Sequence, residues 1–193
     1  MACGALAGHV RDIVARRGWP VAIRPLPALL HNRPQKIPIL AERAVVSALR
    51  SGATVALAYA DCGSYGALDR LCARYGVRRL PGLHCYDVFA GAQKIASMFR
   101  AEPGTYVLTD FLLRSFDRSV LAELGLDRHP ELWGDYFGHY RRLVWLAQQP
   151  SQALEAEAAR VAAVFGLPLT RVDTGVSRLE KALAALVEQE TPA

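Results

Sequence analysis

Short apolar runs alternate along the chain with segments that have the periodicity of amphipathic helices. The clearest apolar run, ATVALAYA at 53–60, predicts a buried strand, because it follows a helical segment that stops at Gly52. Other strands are predicted at 21–26, 77–82, 105–109 and 167–173, and helices at 4–17, 40–51, 65–75, 151–166 and 177–190. Strands that alternate with helices predict a parallel sheet covered on both faces. The expected fold class is therefore α/β, a Rossmann-like three-layer sandwich with a mostly parallel sheet and a helical C-terminal part.

The length of 193 residues suits one domain with a sizeable core. We expect a single α/β domain over 1–193, with a helical insertion at 117–149 that is broken at Gly125 and Pro130. Only Met1 and Ala2 precede the first cysteine. The first strand is therefore expected to be very short, or else the chain begins upstream of this start.

The composition is that of a folded protein with a modest positive charge. Apolar residues make up 52% of the chain, and 23 basic against 18 acidic residues give a net charge of +5. The arginines are scattered and aromatic residues are not interleaved with basic runs, which disfavours nucleic acid as a partner. The longest apolar run, TVALAYA, is too short to span a bilayer, and the N-terminus does not have the pattern of a secretory signal. A cytoplasmic location without membrane contact is expected.

Three cysteines follow successive predicted strands. Cys3 follows the first strand, Cys62 the third and Cys85 the fourth. In open α/β sheets the loops at the carboxyl ends of the strands share one crevice, so these thiols are expected on one rim. The glycines after Cys3 and Cys62 allow a tight turn into a helix whose free N–H groups favour a thiolate. Cys72 falls inside a predicted helix with apolar neighbours and is left out of the site.

Three thiolates without any other charge would repel one another. A zinc ion or an iron–sulfur cluster would remove this repulsion, since both prefer thiolate ligands, and three protein ligands leave one coordination position open for reaction. The predicted metal ligands are Cys3, Cys62 and Cys85, together with His84. Free cysteine is also among the most buried residue types, so each thiol has the alternative interpretation of a small apolar residue.

Other polar residues follow the same strand ends. Asp61 and Asp110 are candidates for acid–base catalysis, although an aspartate in a loop most often caps a helix. His31, in LHNRP, would bind an anionic substrate together with Arg33, or would cap the helix that follows. The full set predicted to bind substrate is His31, Asn32, Arg33, Gly63 and Thr109.

Several motifs taken together resemble the domain-of-unknown-function 1638 family of prokaryotes. They are, in chain order, ACGALA, LHNRP, DCGSYGALD, RLPGLHCYDVFAG and EPGTYVLTDFL. The likeness runs from Cys3 to about Leu179. Members of this family often accompany corrinoid proteins and methyltransferases of methylamine-type one-carbon metabolism. The resemblance therefore implies a corrinoid protein or a methyltransferase as a partner.

Three functions are consistent with these residues. The first is an enzyme or accessory protein of corrinoid-linked methyl metabolism that binds zinc or an iron–sulfur cluster through the three cysteines. The second is a metal-free enzyme that uses Cys62 or Cys85 as its nucleophile, with His84 or His31 as the base. The third is a non-catalytic module that docks on such a partner through residues 127–148. The sequence leaves open whether the protein is an enzyme.

Overall fold

The computed structural model describes residues 1–188, which have the α/β composition expected from the sequence. The strands are β1 (Ala2–Cys3), β2 (Pro25–Leu26), β3 (Ala56–Leu57), β4 (Arg78–Arg79), β5 (Thr105–Thr109), β6 (Arg142–Ala147) and β7 (Leu169–Asp173). The α-helices are α1 (Ala7–Arg17), α2 (Ile37–Arg50), α3 (Ala67–Tyr75), α4 (Cys85–Ala90), α5 (Ala92–Ala101), α6 (Asp110–Phe116), α7 (Trp133–Phe137), α8 (Gln152–Phe165) and α9 (Ser177–Glu188). Within residues 1–188 all paired strands run parallel, which confirms the predicted α/β class with a parallel arrangement of strands.

The chain divides into two compact units. The first contains Met1–Val88 and the C-terminal segment from Ser177, and the second contains Phe89–Val176. That these units make up the single domain predicted over 1–193 stays a prediction, and residues 189–193 lie outside the described part of the chain. No helix within residues 1–188 is long and apolar enough to cross a membrane.

The first unit contains four short parallel strands in the order β2, β1, β3, β4. Strand β1 pairs with β2 through Ala2 and Cys3, and β3 pairs with β4. A parallel bridge between Ala2 and Ala58 joins the two pairs, because the Cys3 N–H donates to the Ala58 carbonyl at 3.0 Å. The first strand is thus as short as the sequence predicts. The order reverses between β1 and β3, since the chain adds β2 on one side of β1 and β3 and β4 on the other.

The second unit is built on the parallel sheet β5–β6–β7. Leu108 of β5 and Trp145 of β6 are buried in one apolar cluster with Phe116 of α6 and Phe165 of α8. Helix α8 begins as predicted, because the Ser151 side chain accepts a hydrogen bond from the Leu154 N–H. The apolar face of the sheet and the two helices therefore form the core of this unit.

The prediction of a helical insertion over 117–149 is wrong for the last third of this segment, which contains a strand. Residues 117–122 and 133–137 are helical, but Arg142–Ala147 forms β6, the central strand of the second sheet. The run RLVWLA is buried along almost its whole length, from Leu143 to Ala147. A strand buried on both faces has no polar alternation, so its sequence pattern resembles that of a buried helix.

Candidate thiol site

Four loops of the first unit bring three cysteines and one histidine together. Cys3 ends β1, and His31, Cys62 and Cys85 lie in the segments that follow β2, β3 and β4. The charges of Cys62 and Cys3 act on Cys85, and His31 interacts with both Cys3 and Cys62. Ligands of open α/β folds bind beyond the carboxyl ends of the strands, at the point where the strand order reverses. That point lies between β1, which ends at Cys3, and β3, which precedes Cys62.

Cys3 is fully buried and is held against the turn that carries His31. The Leu6 N–H donates to the Cys3 carbonyl at 2.9 Å, and the backbone N–H groups of Ala5 and Leu6 both act to lower the pKa of the thiol. Gly4 makes the close packing possible, since a Cβ atom there would lie 2.5 Å from the Leu26 carbonyl oxygen and 2.6 Å from the Ala28 nitrogen. Only glycine fits at this position without a backbone shift.

Cys62 lies in a tight loop with a left-handed backbone conformation, at φ = 50°. This conformation costs a residue other than glycine about 1–2 kcal/mol. Its N–H donates to the Leu83 carbonyl at 2.7 Å, and the preceding N–H of Asp61 donates to the Gly82 carbonyl at 3.1 Å. The loops that carry Cys62 and Cys85 are thus hydrogen-bonded to each other.

Two carboxylates fix these two loops. Asp61 accepts hydrogen bonds from the Ser64 hydroxyl and from the backbone N–H groups of residues 65 and 66. Asp87 accepts two more, from the backbone N–H groups of Leu83 and His84. The burial of Asp61 would raise its pKa, but these hydrogen bonds outweigh burial and lower it. The geometry favours the structural interpretation of Asp61 over an acid–base role.

Cys85 begins helix α4 and is half-buried. Its own backbone N–H and that of Tyr86 act to lower the pKa of the thiol. Burial and the nearby charges of Cys62 and Cys3 oppose this and raise the pKa of the Cys85 thiol well above its ordinary value. In the absence of a further cation, Cys85 is the thiol of this group that stays protonated.

His31 contacts Cys3 through its ring. Its Nδ1 atom donates to the Ala28 carbonyl at 2.8 Å, which leaves Nε2 facing the Cys3 sulfur at 3.6 Å. Burial alone would lower the pKa of His31, but hydrogen bonds and charges of Cys3 and Cys62 raise it to about 11. Burial alone would raise the pKa of Cys3, and the contact with His31 lowers it instead. Both shifts favour a thiolate beside an imidazolium.

Tyr59 lies beside this pair and was not identified from the sequence. Its ring stacks on the His31 ring, with centroids 5.9 Å apart and planes inclined by 13°. The side chain is 1% exposed, and its hydroxyl has no hydrogen-bond partner within residues 1–188. Burial and then the charges of Cys3 and Cys62 raise the pKa of the phenol, so it stays protonated. The sequence pattern that could have identified Tyr59 is its position in the buried run ALAYA, the run that directly precedes DCG.

Four other predicted site residues lie next to members of the thiol site in sequence. His84 is exposed, stacks on Tyr86 and makes no side-chain hydrogen bond with a residue of the described chain, so His31 is the histidine that contacts the thiols. Asn32 and Arg33 are exposed, and Gly63 directly follows Cys62 in its loop. A metal-ligand role for His84 and substrate contacts of these three residues stay predictions.

Thr109 and Asp110 belong to the second unit. Thr109 caps helix α6. Asp110 is fully buried and accepts hydrogen bonds from the Trp145 indole and from the backbone N–H groups of Gln148 and Gln149. Each Asp110 oxygen therefore already has a partner within this unit, which favours a structural role.

A metal ion has no ready set of ligands in the described conformation. Among residues 1–188, no three histidine, cysteine, aspartate or glutamate side chains are grouped so that they could hold one.

A family model described as "Protein of unknown function (DUF1638)" matches residues 25–183. The chain belongs to the DUF1638 family. The matched range includes three members of the thiol site of this DUF1638 chain, His31, Cys62 and Cys85, and begins after Cys3. No curated protein and no solved structure matches the chain at a significant level.

Proposed function

We propose that Cys3, Cys62 and Cys85 bind a zinc ion or an iron–sulfur cluster, and that this centre is the working part of the protein. The convergence of three thiols from three loops, with a single imidazolium as their cation, carries the proposal. One imidazolium balances one thiolate. The other sulfurs either keep their protons or require another positive charge, and a metal supplies that charge.

The donor set suits such a group in three respects. Thiolate sulfur is the ligand that both zinc and iron–sulfur clusters prefer. His31 is placed to act as a fourth ligand or as a neighbour of the ligands, because its Nδ1–H already donates to a backbone carbonyl, as metal-binding histidines commonly do. Nearby backbone N–H groups act to lower the pKa of the Cys3 and Cys85 thiols. Metal uptake must draw the sulfurs onto a common ion, since they are not grouped around one point.

The bound group would supply Lewis-acid chemistry as zinc, or electron transfer as a cluster. We place this chemistry in corrinoid-linked methyl metabolism in the cytoplasm, with a corrinoid protein or a methyltransferase as partner. The family resemblance is the support for this part of the proposal. The chain would be either an enzyme of that metabolism or an accessory protein that maintains its cobalt centre.

The test is the metal content of protein that is purified and handled without oxygen. Iron with acid-labile sulfide and a brown colour would identify a cluster, and about one zinc per chain in a colourless protein would identify a mononuclear site. Cys85→Ser should lose most of the metal. The matched control is Cys72→Ser, which changes a partly buried thiol in helix α3 and should keep the metal. The proposal is wrong if metal-free protein takes up neither zinc nor iron and sulfide on reconstitution.

A second function is favoured by one specific contact, that of Cys3 with His31. A thiolate beside an imidazolium is the activated form of a cysteine nucleophile. In this case Cys3 would be the nucleophile of a metal-free enzyme, rather than Cys62 or Cys85. Cys3 is fully buried, so this function requires the site to open and admit a reagent. A small alkylating agent that enters in this way should label Cys3 faster than the other three cysteines at neutral pH, and His31→Gln should remove the difference. Equal labelling of all four would exclude this function.

A further inference from the structure

We propose that the second unit binds a small carboxylate with an apolar ring or chain, in a cavity between helix α5 and the sheet β5–β6–β7. The cavity has a volume of about 180 Å³. Two cationic side chains, Lys94 and Arg142, line it together with mostly apolar residues. The inference goes beyond the proposed function, because the three cysteines of the thiol site belong to the first unit.

The cavity lies on the face of the sheet that is turned away from the core of this unit. Trp145 of β6 belongs to the buried cluster with α6 and α8, so its neighbours Val144 and Leu146 point to the opposite face. Parallel pairing places Thr170 and Val172 of β7 beside them. All four residues of this face line the cavity, which therefore has a floor of strand side chains.

Helix α5 covers only part of this face. Ile95 and Met98 line the cavity from the helix, and Ile95 is buried. On the floor, Val144 is buried as well, whereas Thr170 of the neighbouring strand is exposed. The cavity is therefore closed over β6 and open to solvent beside β7. A small molecule can enter from that side without any movement of the helix.

The charge of Arg142 is held in place beside this cavity without an anion. Its Nε atom donates to the Thr105 hydroxyl at 2.8 Å, and its Nη2 atom donates to the Met98 carbonyl at 3.0 Å. Both acceptors are neutral, and within residues 1–188 neither Arg142 nor Lys94 forms an ion pair. Arg142 is half-buried, and charged groups that are withdrawn from water are normally paired. The fixed guanidinium is therefore suited to an anion from outside the chain.

The lining and the volume of the cavity indicate which kind of anion fits. Lys94, Arg142 and Thr170 are polar, and every other lining residue is apolar. A phosphate would lose its hydration there without gaining enough hydrogen bonds, whereas a carboxylate needs only an arginine fork. A cavity of about 150 Å³ holds one benzene molecule, so about 180 Å³ accommodates one ring or a chain of about six carbons.

The test is a titration of the whole chain with sodium benzoate, followed through the methyl signals of Ile95 and Val172 by nuclear magnetic resonance. Benzoate should shift both signals in a saturable manner, with a dissociation constant in the millimolar range or below, as expected for a ligand of this size. Benzyl alcohol has a similar ring without the charge and should bind about tenfold more weakly. Unmoved methyl signals, or equal binding of the alcohol and the acid, would overturn the proposal.

Two variants and one control test the cations. Arg142→Lys keeps the charge but loses the fork, and should weaken benzoate binding about tenfold. Lys94→Met changes an exposed side chain, so the fold is kept, and should weaken binding about two- to fivefold. Arg100→Met is the matched control, because Arg100 is exposed on the same helix and does not line the cavity, and its affinity should equal that of the wild type.

The charge variants also separate a specific site from a general effect of positive charge. If Arg142→Lys fails to fold, the comparison of Lys94→Met with Arg100→Met decides the question. Equal affinities of these two variants for benzoate would overturn the proposal. Inorganic phosphate is the last probe, and methyl shifts as large as those with benzoate would overturn the assignment to a carboxylate with an apolar part.

Discussion

Replacing Gly4 by alanine should separate Cys3 from His31. The new Cβ atom would lie 2.5 Å from the Leu26 carbonyl oxygen and 2.8 Å from the Ala28 Cα atom, both in the backbone. An ordinary contact at Cβ is 3.4 Å or more, so the turn has to move by about 0.9 Å. Ala28 also holds the His31 ring through its carbonyl oxygen. The same displacement would lengthen the 3.6 Å contact between Cys3 and His31 to about 4.5 Å, beyond hydrogen-bond range.

The expected loss of stability is that of an overpacked core, about 1–3 kcal/mol. For a chain of this length, this lowers the melting temperature by about 2–12 °C. The matched control is Gly8→Ala, because Gly8 lies in helix α1 and a Cβ atom there has no other atom within 4 Å. Alanine in a helix is more stable than glycine by up to about 1 kcal/mol, so Gly8→Ala should melt at the same or a higher temperature.

The assay combines thermal unfolding with a pH titration of the thiolates, read by their ultraviolet absorption, because the alkylation rate of a fully buried thiol reports exposure as well as charge. Gly4→Ala should move the titration of Cys3, identified by its loss in Cys3→Ala, to higher pH, because loss of the contact with His31 lets the pKa of the thiol return towards its ordinary value. Gly8→Ala should leave the titration unchanged. If Gly4→Ala melts like the wild type and the titration of Cys3 does not move, the close packing of these two turns is not what activates the thiol.

Three further changes test the loops and caps. Asp110→Asn should lower the free energy of unfolding by about 2–3 kcal/mol, because an amide cannot accept from both the Trp145 indole and the two backbone N–H groups; an unchanged urea midpoint would contradict this. Ser151→Ala should lower the free energy of unfolding by about 1 kcal/mol, because helix α8 loses its N-terminal cap. The control Ser47→Ala changes an exposed residue within α2 and should alter the free energy of unfolding by less than about 0.5 kcal/mol. Equal effects of the two variants would argue against the cap. Folding lowers the pKa of Asp61 from its ordinary value of 3.8, so the ionised carboxylate stabilises the folded state above pH 3.8. This stabilisation is lost as the pH falls through the lower pKa that Asp61 has in the folded state. Asp61→Asn should therefore flatten the acid limb of the stability curve, and an unaltered limb would show that its loop hydrogen bonds contribute nothing.

The placement of the cysteines followed from topology alone. Parallel strands end at one edge of their sheet, so the end of β1 and the segments that follow β3 and β4 are brought together whatever their spacing in the chain. Cys3 is the last residue of β1, Cys62 and Cys85 lie in those two segments, and Cys72, in the middle of helix α3, does not. This rule requires only that the strands be recognised and parallel, which alternation with helices is enough to predict.

The histidine of the site could not be chosen in the same way. His84 is next to Cys85 in sequence, but neighbouring side chains in a turn point in different directions, and His84 is exposed. His31 reaches Cys3 because β2 pairs with β1 and Gly4 lets the two turns touch. Strand order is decided by pairing between distant segments and leaves no local pattern. For the same reason RLVWLA was assigned to a helix, although its pairing partners on both sides make it a strand.

The loops of the thiol site contain backbone strain and fixed carboxylates that close packing alone does not require. Cys62 keeps a left-handed backbone that glycine would adopt without strain, and the carboxylates of Asp61 and Asp87 are both used to fix the loops that carry the thiols. Their negative charge is directed at backbone N–H groups. If the core needed only a small apolar residue at this position, alanine would pack as well as Cys3, and His31 would not be needed beside it. Strain, anchored loops and a partly buried imidazole beside three sulfurs are instead what the proposed metal centre would require to keep its thiolates together despite their repulsion.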